Sequence, residues 1–418
     1  MLSTIDHAKP EIAPLAIFEG SHSITALLPI MGAVLIAFLV IGVALPVLPL
    51  HVHQSLGLST FVVGLVTGSQ FAASLISRVW AGRFSDVRGA KHAVLTGLLT
   101  AVISGLLYVA SLAFVTTPLL SVSILLLGRA LLGGAESFII TGAVTWGLFL
   151  AGPTNAGRVI AWMGMAMFAA LAFGAPIGIE LYSLFGFLAV AGATTLVPLV
   201  TVILLVPLKP VPPQRGTQAG LLKVARAVWM PGVGSAFSTI GFGAMIGFSS
   251  LFAAARGWSP LWLPFSAFAI SLVVARLFFG HMPDKLGGAK VALASVFIEA
   301  AGLALIWLAP DRASGAIGAA LTGFGYALVY PGLGVEAVRR APPQSRGLAM
   351  GAYTVFLDVA LGFGSPVLGL IAGWAGLGAV FLASMLTVLG TAFVAARLLI
   401  ADFGTQQQSP QQPEPKGE

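Results

Sequence analysis

Few charged side chains stand deep inside apolar runs of this chain, and Arg129, Glu136, Asp358 and Glu299 are among them. A guanidinium supplies a fixed positive charge and a carboxylate can carry a proton, so such a set could bind an ion or move protons. Arg129 and Glu136 are seven residues apart, which on a helix places them on one face about 10 Å apart along the axis. That is too far for a direct pair and suits two groups lining one cavity. Asp358 falls about twelve residues into another apolar run. An arginine at the centre of a hydrocarbon layer costs roughly 2.5 kcal/mol or more, so an idle Arg129 is not expected. Low dielectric disfavours the charged form of a carboxylate, which would let Glu136 or Asp358 load and release a proton as access changes. The alternative for each is a buried carboxylate satisfied by a neighbouring hydroxyl or arginine. Glu180 reads as interfacial, and Glu336, beside Arg339 and Arg340, as a salt-bridge partner.

The elements that carry these groups are apolar helices. Apolar residues make up 58% of the chain and charged residues 8%; a soluble domain needs about 25% charge. Apolar runs longer than 18 residues follow one another almost to the end, each long enough to cross a bilayer. The net charge of +7 does not mark a nucleic-acid partner, because the basic residues are spread through loops. With no cysteine, thiolate chemistry and disulfides are excluded. His51 and His53 form a lone His-x-His with no third ligand, so no metal site is expected. No cofactor is expected, and no His/Asp/Glu or Ser/His constellation of an enzyme converges at one membrane face. No cleaved signal peptide is read at the N-terminus.

In order, residues 1–26 read as a polar tail, 27–206 as six spans, 207–227 as a Pro- and Lys/Arg-bearing linker, 228–402 as six more spans, and 403–418 as a Gln/Pro-rich disordered tail. With the N-terminus inside, the inner loops hold Arg83, Arg88, Lys91, Arg158, Lys209, Arg215, Lys223, Arg226, Lys285, Lys290, Arg339, Arg340 and Arg346; the outer loops hold Arg256 and Arg312. That asymmetry puts both termini in the cytoplasm. The halves repeat. Gly82-Arg83-Phe84-Ser85-Asp86-Val87-Arg88-Gly89 recurs 198 positions later as Gly280-His281-Met282-Pro283-Asp284-Lys285-Leu286-Gly287, with Arg78 and Arg276 at the same offset before each copy. Gly57-Leu58-Ser59 matches Gly257-Trp258-Ser259, and Gly174-Ala175-Pro176 matches Gly364-Ser365-Pro366. Two parallel halves would place a substrate site between them near mid-membrane.

On these residues the chain resembles the major facilitator superfamily of secondary transporters. The segment from Gly82 to Lys91 is similar to that family's signature between helices two and three, with Gly82, Asp86, Gly89 and Lys91 in register, Arg88 one place late, and Val87 and Ala90 where basic residues are usual. Arg129 in Leu127-Gly128-Arg129-Ala130-Leu131-Leu132-Gly133 resembles the helix-four arginine of proton-coupled members. Gly174, Pro176 and Gly178 resemble the helix-five antiporter motif, with Ala175 in place of a glycine. Within the superfamily the chain is most similar to the bacterial arabinose-efflux and drug-efflux branches, including YhhS-type proteins.

The resemblance implies an all-α polytopic fold of twelve helices in two pseudo-symmetric six-helix bundles, in a bacterial inner membrane and working as a monomer. It implies alternating access, with protons as the coupling ion and a small drug-like, amphipathic or sugar-like solute exported; a proton-symport importer and a non-transporting receptor or sensor are the other readings. Arg129, Glu136 and Asp358 would serve proton coupling. Glu299 falls on a peripheral support helix and ranks below them. Phe38, Gln70, Phe242, Tyr326 and Tyr330 would line the substrate path, although aromatics at such spacing also serve simple packing. Asp86 would act as a cytoplasmic latch facing the start of span eleven near Ser345 to Gly347, with Arg78 or Arg88 completing its charge network. Asp284 and Lys285 would be its structural echo. Without a switching role, these loop charges would mark topology only.

Overall fold

The computed structural model describes residues 22–151, 156–212, 221–341 and 346–407. The first span is α1 (His22–Ala44), continued by α2 (Val47–Leu50) and a π-helical turn (His51–Ser55). Pro46 and Pro49 interrupt it, since neither has an N–H to give to the preceding turn. The next five spans are α3 (Thr60–Arg88), α4 (Ala90–Leu112), α5 (Pro118–Ala151), α6 (Ala156–Phe185) and α7 (Phe187–Leu205). The second half comprises α8 (Leu221–Ala255), α9 (Leu263–Phe279), a short α10 (Met282–Leu286), α11 (Gly288–Leu308), α12 (Arg312–Arg340), α13 (Arg346–Ala375) and α14 (Leu377–Gln407). Among the described residues eleven helices are long and apolar enough to cross a membrane, and α9 is a shorter apolar twelfth. The protein is an all-α, multi-pass membrane protein. Helix α8 begins inside the segment expected as linker, and α14 runs on to Gln407.

Backbone geometry makes the duplication explicit. Every described residue with φ in the left-handed region is glycine: Gly57 (φ 68), Gly89 (φ 91) and Gly186 (φ 70) in one half, Gly257 (φ 68), Gly287 (φ 96) and Gly376 (φ 85) in the other. They precede the second, third and sixth spans and, in matching order, the eighth, ninth and twelfth. A Cβ would strain each of these turns.

The repeated charged stretch is not a loop in its first copy. Helix α3 continues to Arg88, so Gly82 to Arg88 form its last two turns and Gly89 alone breaks the chain. Asp86 therefore sits at the C-terminal end of α3. In the second copy the helix stops at Phe279 and restarts as α10, with Pro283 in its first turn. Pro283 has no N–H for the Phe279 carbonyl, which is why this copy breaks where the first runs through.

Close backbone approach holds the helices together, as it must where lipid tails are as apolar as leucine. At the α1–α6 crossing a Cβ added to Gly42 would lie 2.7 Å from the Ala170 carbonyl oxygen, and one added to Gly174 would lie 2.6 Å from the Gly42 carbonyl carbon. Leucines and aromatics such as Phe173, Phe363, Phe393 and Trp374 face outward, where the lipid would be.

Candidate functional site

Helix α3 meets α13 along much of its length, and this contact joins the two halves. Thr60 Oγ1 donates to the Gly369 carbonyl at 2.8 Å. One turn further, Gly64 and Gly68 pack on Ser365, Pro366 and Gly362. Deeper still, Arg78 and Asp358 form a two-pronged ion pair, Nε to Oδ2 at 2.5 Å and Nη2 to Oδ1 at 3.0 Å. The Asp358 side chain is 1% exposed and that of Arg78 25%. Arg78 thus lies outside the charged end of α3, about 15 Å along the axis from Arg88, and its partner is Asp358, not Asp86.

Helix α5 lies on the other side of α3, tied to it by the Ser74–Ser137 hydroxyl pair at 2.9 Å. Gln70 of α3 donates from Nε2 to Glu136 Oε2 at 2.7 Å. Glu136 is within electrostatic reach of Asp358, Arg78 and Arg129. Arg129 is fully buried; its Nε donates to the Val66 carbonyl at 3.1 Å, while Nη1 and Nη2 have no hydrogen-bond partner among the described residues. Arg129, Glu136, Gln70, Arg78 and Asp358 therefore form one charged cluster assembled from α3, α5 and α13.

Beside this cluster runs an aromatic wall from the second half. Phe242 of α8 stacks on Tyr326 of α12 at 5.1 Å and on Phe268 of α9 at 5.6 Å between ring centroids. Phe168 of α6 meets Phe242 edge-on at 6.5 Å. Tyr330 packs on Tyr353 at 5.1 Å, and Tyr353 Oη donates to the Tyr330 carbonyl at 2.7 Å. Tyr330 is within electrostatic reach of Arg78, Arg276 and Asp358, so wall and charge cluster adjoin. Phe168 and Tyr353 were missed by sequence reasoning, because nothing in an apolar run says which ring turns inward. Phe38 is buried in the α1 core instead. Arg276 also departs from the loop network: its guanidinium lies over the Phe168 ring at 4.4 Å.

The remaining charged residues have local roles. Glu336 accepts from Ala289 N at 3.1 Å and pairs with Arg339 and Arg340, tying α12 to the start of α11. Lys91 Nζ donates to the Val206 carbonyl at 2.7 Å and to that of Leu208, a cation at the end of α7 where helix carbonyls are unpaired. Glu299 is buried and accepts from Ser238 Oγ at 2.6 Å. Asp86, Asp284 and Lys285 are exposed, and Arg88 lies over Phe84 at 5.8 Å. Ser345, part of the expected latch partner, lies outside the described residues, as does the side chain of Arg346. Gly174 and Gly178 pack against Gly42 and Val43, so the motif around Pro176 is a seat for α1. His51 stacks on Phe187 at 4.0 Å, and His53 Nδ1 bonds the Leu58 carbonyl at 2.8 Å.

Among the described residues, three hydrogen bonds join the halves at the end of the bundle opposite Arg88. They are Thr60 to Gly369, Ser250 Oγ to the Pro46 carbonyl at 2.7 Å, and Trp262 Nε1 to Glu180 Oε1 at 3.2 Å.

A helical membrane protein of two like halves, with polar side chains gathered where the halves meet, is built as a solute transporter is built. The chain belongs to the Major Facilitator Superfamily, whose profile matches residues 30–273 and 262–417. It is a membrane transporter of that family and not an enzyme. An uncharacterized MFS-type transporter of Salmonella typhimurium is 42% identical over 380 residues, covering 91% of this chain and 98% of the relative. One from Burkholderia mallei is 40% identical over 385 residues, covering 90% of this chain and 92% of the relative. Among solved structures, the nucleoside transporter NupG (TM-score 0.72, 15% identity, 89% of this chain and 99% of that one) and the POT family transporter PepTSo (TM-score 0.72, 12% identity, 92% and 99%) share the fold.

Proposed function

We propose that the protein is a proton-coupled secondary transporter of the bacterial inner membrane that exports a small amphipathic solute by alternating access. The observation that carries this reading is the Arg78–Asp358 pair. It bridges the two halves, and one of its members is a carboxylate that a proton can neutralise. Protonating Asp358 removes the charge that holds Arg78, and Glu136, held by Gln70, is the neighbouring carboxylate able to interact with the freed guanidinium. The α3–α13 seam can then open at the outer end, where the hydrogen bonds of Thr60, of Ser250 and of Trp262 to the Glu180 carboxylate, together with glycine contacts, must break. Loss of the proton to the other face restores the pair. Arg129 shares the cluster and places a second fixed positive charge near Glu136.

In this reading the structure has its outer end closed, and the inner latch of Asp86 engages in the opposite state, with Gly82, Arg88 and Gly89 shaping that end of α3. Export is supported by the resemblance of Gly174, Pro176 and Gly178 to the antiporter motif. The aromatic wall of Phe242, Tyr326 and Tyr330 suits an amphipathic body. The test is flux in liposomes under an imposed pH gradient. Wild type should move solute against its gradient, and Asp358→Asn and Glu136→Gln should lose gradient-driven flux while retaining exchange. Wild-type flux indifferent to the gradient defeats proton coupling.

A further inference from the structure

Among the described residues, Arg276 is a cation of the inter-half region with no carboxylate acting on it. Arg78, its equivalent in the first half, is neutralised by Asp358, and Arg129 lies near Glu136. The ionisable groups acting on Arg276 are Tyr326, Tyr330 and Tyr353, with no carboxylate among them. Its Nε is buried without a hydrogen-bond partner, and no described residue bonds the rest of the guanidinium, although the side chain as a whole is partly exposed. Arg276 stands in the last turn of α9, and a cation without a counter-charge on a membrane-crossing helix marks a substrate path.

The local geometry says what would complete it. Phe168 covers the flat face of the guanidinium at 4.4 Å. A guanidinium stacked by its face still offers its edge, whose parallel N–H groups match the two oxygens of a carboxylate. Gly164, one turn before Phe168, leaves space there: a Cβ at that position would come 3.7 Å from Nη1. Next to the charge stand Phe242 and Tyr326, stacked on each other and buried in this closed arrangement, so that a solute reaches them only when the halves part.

We propose that the transported solute is an organic anion, its carboxylate held by the edge of Arg276 and its apolar or aromatic body lying against Phe168, Phe242 and Tyr326. Arg276 comes from the second half, and Phe168 and Gly164 from the first, so the anion bridges the halves and its affinity depends on their arrangement. This identifies the solute class within the transport reading above and rests on it.

The test is binding to the purified full chain in detergent, by equilibrium dialysis and thermal shift, of three naphthalene probes of like shape: 1-naphthoate, neutral 1-naphthylmethanol and cationic 1-naphthylmethylammonium. Naphthoate should bind at least tenfold tighter than the alcohol, and the ammonium weakest. Arg276→Gln should erase the anion preference while leaving alcohol binding unchanged, Arg276→Lys should keep part of it, and Arg83→Gln should leave it intact. Gly164→Leu keeps the charge but fills the space, and should weaken naphthoate at least tenfold even if Arg276→Gln fails to fold. Absence of naphthoate binding, equal affinity for anion and alcohol, preference for the ammonium, or an anion preference that survives both Arg276→Gln and Gly164→Leu overturns the proposal. Flux in the pH-gradient assay separates this from the parent reading. Anion preference with gradient-indifferent flux leaves the site standing and removes coupling, whereas gradient-driven flux of the neutral probe without anion preference does the reverse.

Discussion

Separating Arg78 from Asp358 should shift the protein between its two conformations by an amount that can be worked from their burial. Removing one partner of a buried ion pair costs ~3–5 kcal/mol, largely because the other charge is stranded. Asp358 is 1% exposed, but Arg78 at 25% keeps some water, which lowers the expected coupling to about 2 kcal/mol. If the pair exists only while the outer end is closed, that coupling corresponds to a roughly 30-fold change in the open-to-closed ratio. The chain has no cysteine, so a single Ser250→Cys reports on the outer end in an otherwise unaltered background. Ser250 is 1% exposed and bonded to Pro46 across the halves, and should react with an impermeant maleimide only when that end opens. Arg78→Gln and Asp358→Asn should each speed labelling. The double variant should be no faster than the single ones, because the bond it removes is already gone. Labelling rates unchanged by either substitution, or effects that add to within about 0.5 kcal/mol, would refute the pair as the element that holds the closed state.

Three further outcomes follow from named contacts. Gly174→Ala should destabilise the purified protein by about 1–3 kcal/mol through overpacking, since its Cβ would lie 2.6 Å from the Gly42 carbonyl carbon. Gly134→Ala, with open space at the same position, should leave the melting temperature unchanged or slightly raised, and equal effects of the two in thermal melts would count against the α1–α6 seat. Asp86→Asn should reduce transport while expression is unaffected, so normal flux in that variant removes the latch. Asp311 caps α12 by accepting from Ser314 N at 2.9 Å and Ala313 N at 2.8 Å, which holds its carboxyl below the usual range. A depressed carboxyl stabilises the folded state above its unfolded value and loses that contribution as pH falls through the folded one. The melting-temperature deficit of Asp311→Ala should therefore be present at pH 7 and shrink in acid, and a deficit constant with pH would count against the cap.

Much of the fold was legible in the sequence because membrane spanning is decided by composition over about 20 residues at a time. The duplication was equally open to inspection, since Gly57, Gly89 and their partners Gly257 and Gly287 each serve a turn that only glycine adopts without strain. The charged stretch after Arg78 misled for a related reason: Gly82 and Asp86 suggest a loop, yet nothing between Arg78 and Arg88 lacks an N–H, and the helix runs on to Gly89. Its second copy contains Pro283 and does break.

The sequence by itself determined that the protein lies in a membrane, that its two halves are alike, and that Arg129, Glu136 and Asp358 fall within apolar runs. It could not decide which charges meet. Arg78 and Asp358 are 280 residues apart, and their pairing depends on how α3 and α13 are rotated against each other by contacts of Gly64, Gly68 and Gly362. The same packing turns Gln70 towards Glu136, and Phe168 towards an Arg276 that has no acid of its own. Partner choice among buried charges is a property of helix rotation and register across the interface, and those are settled only by the whole bundle.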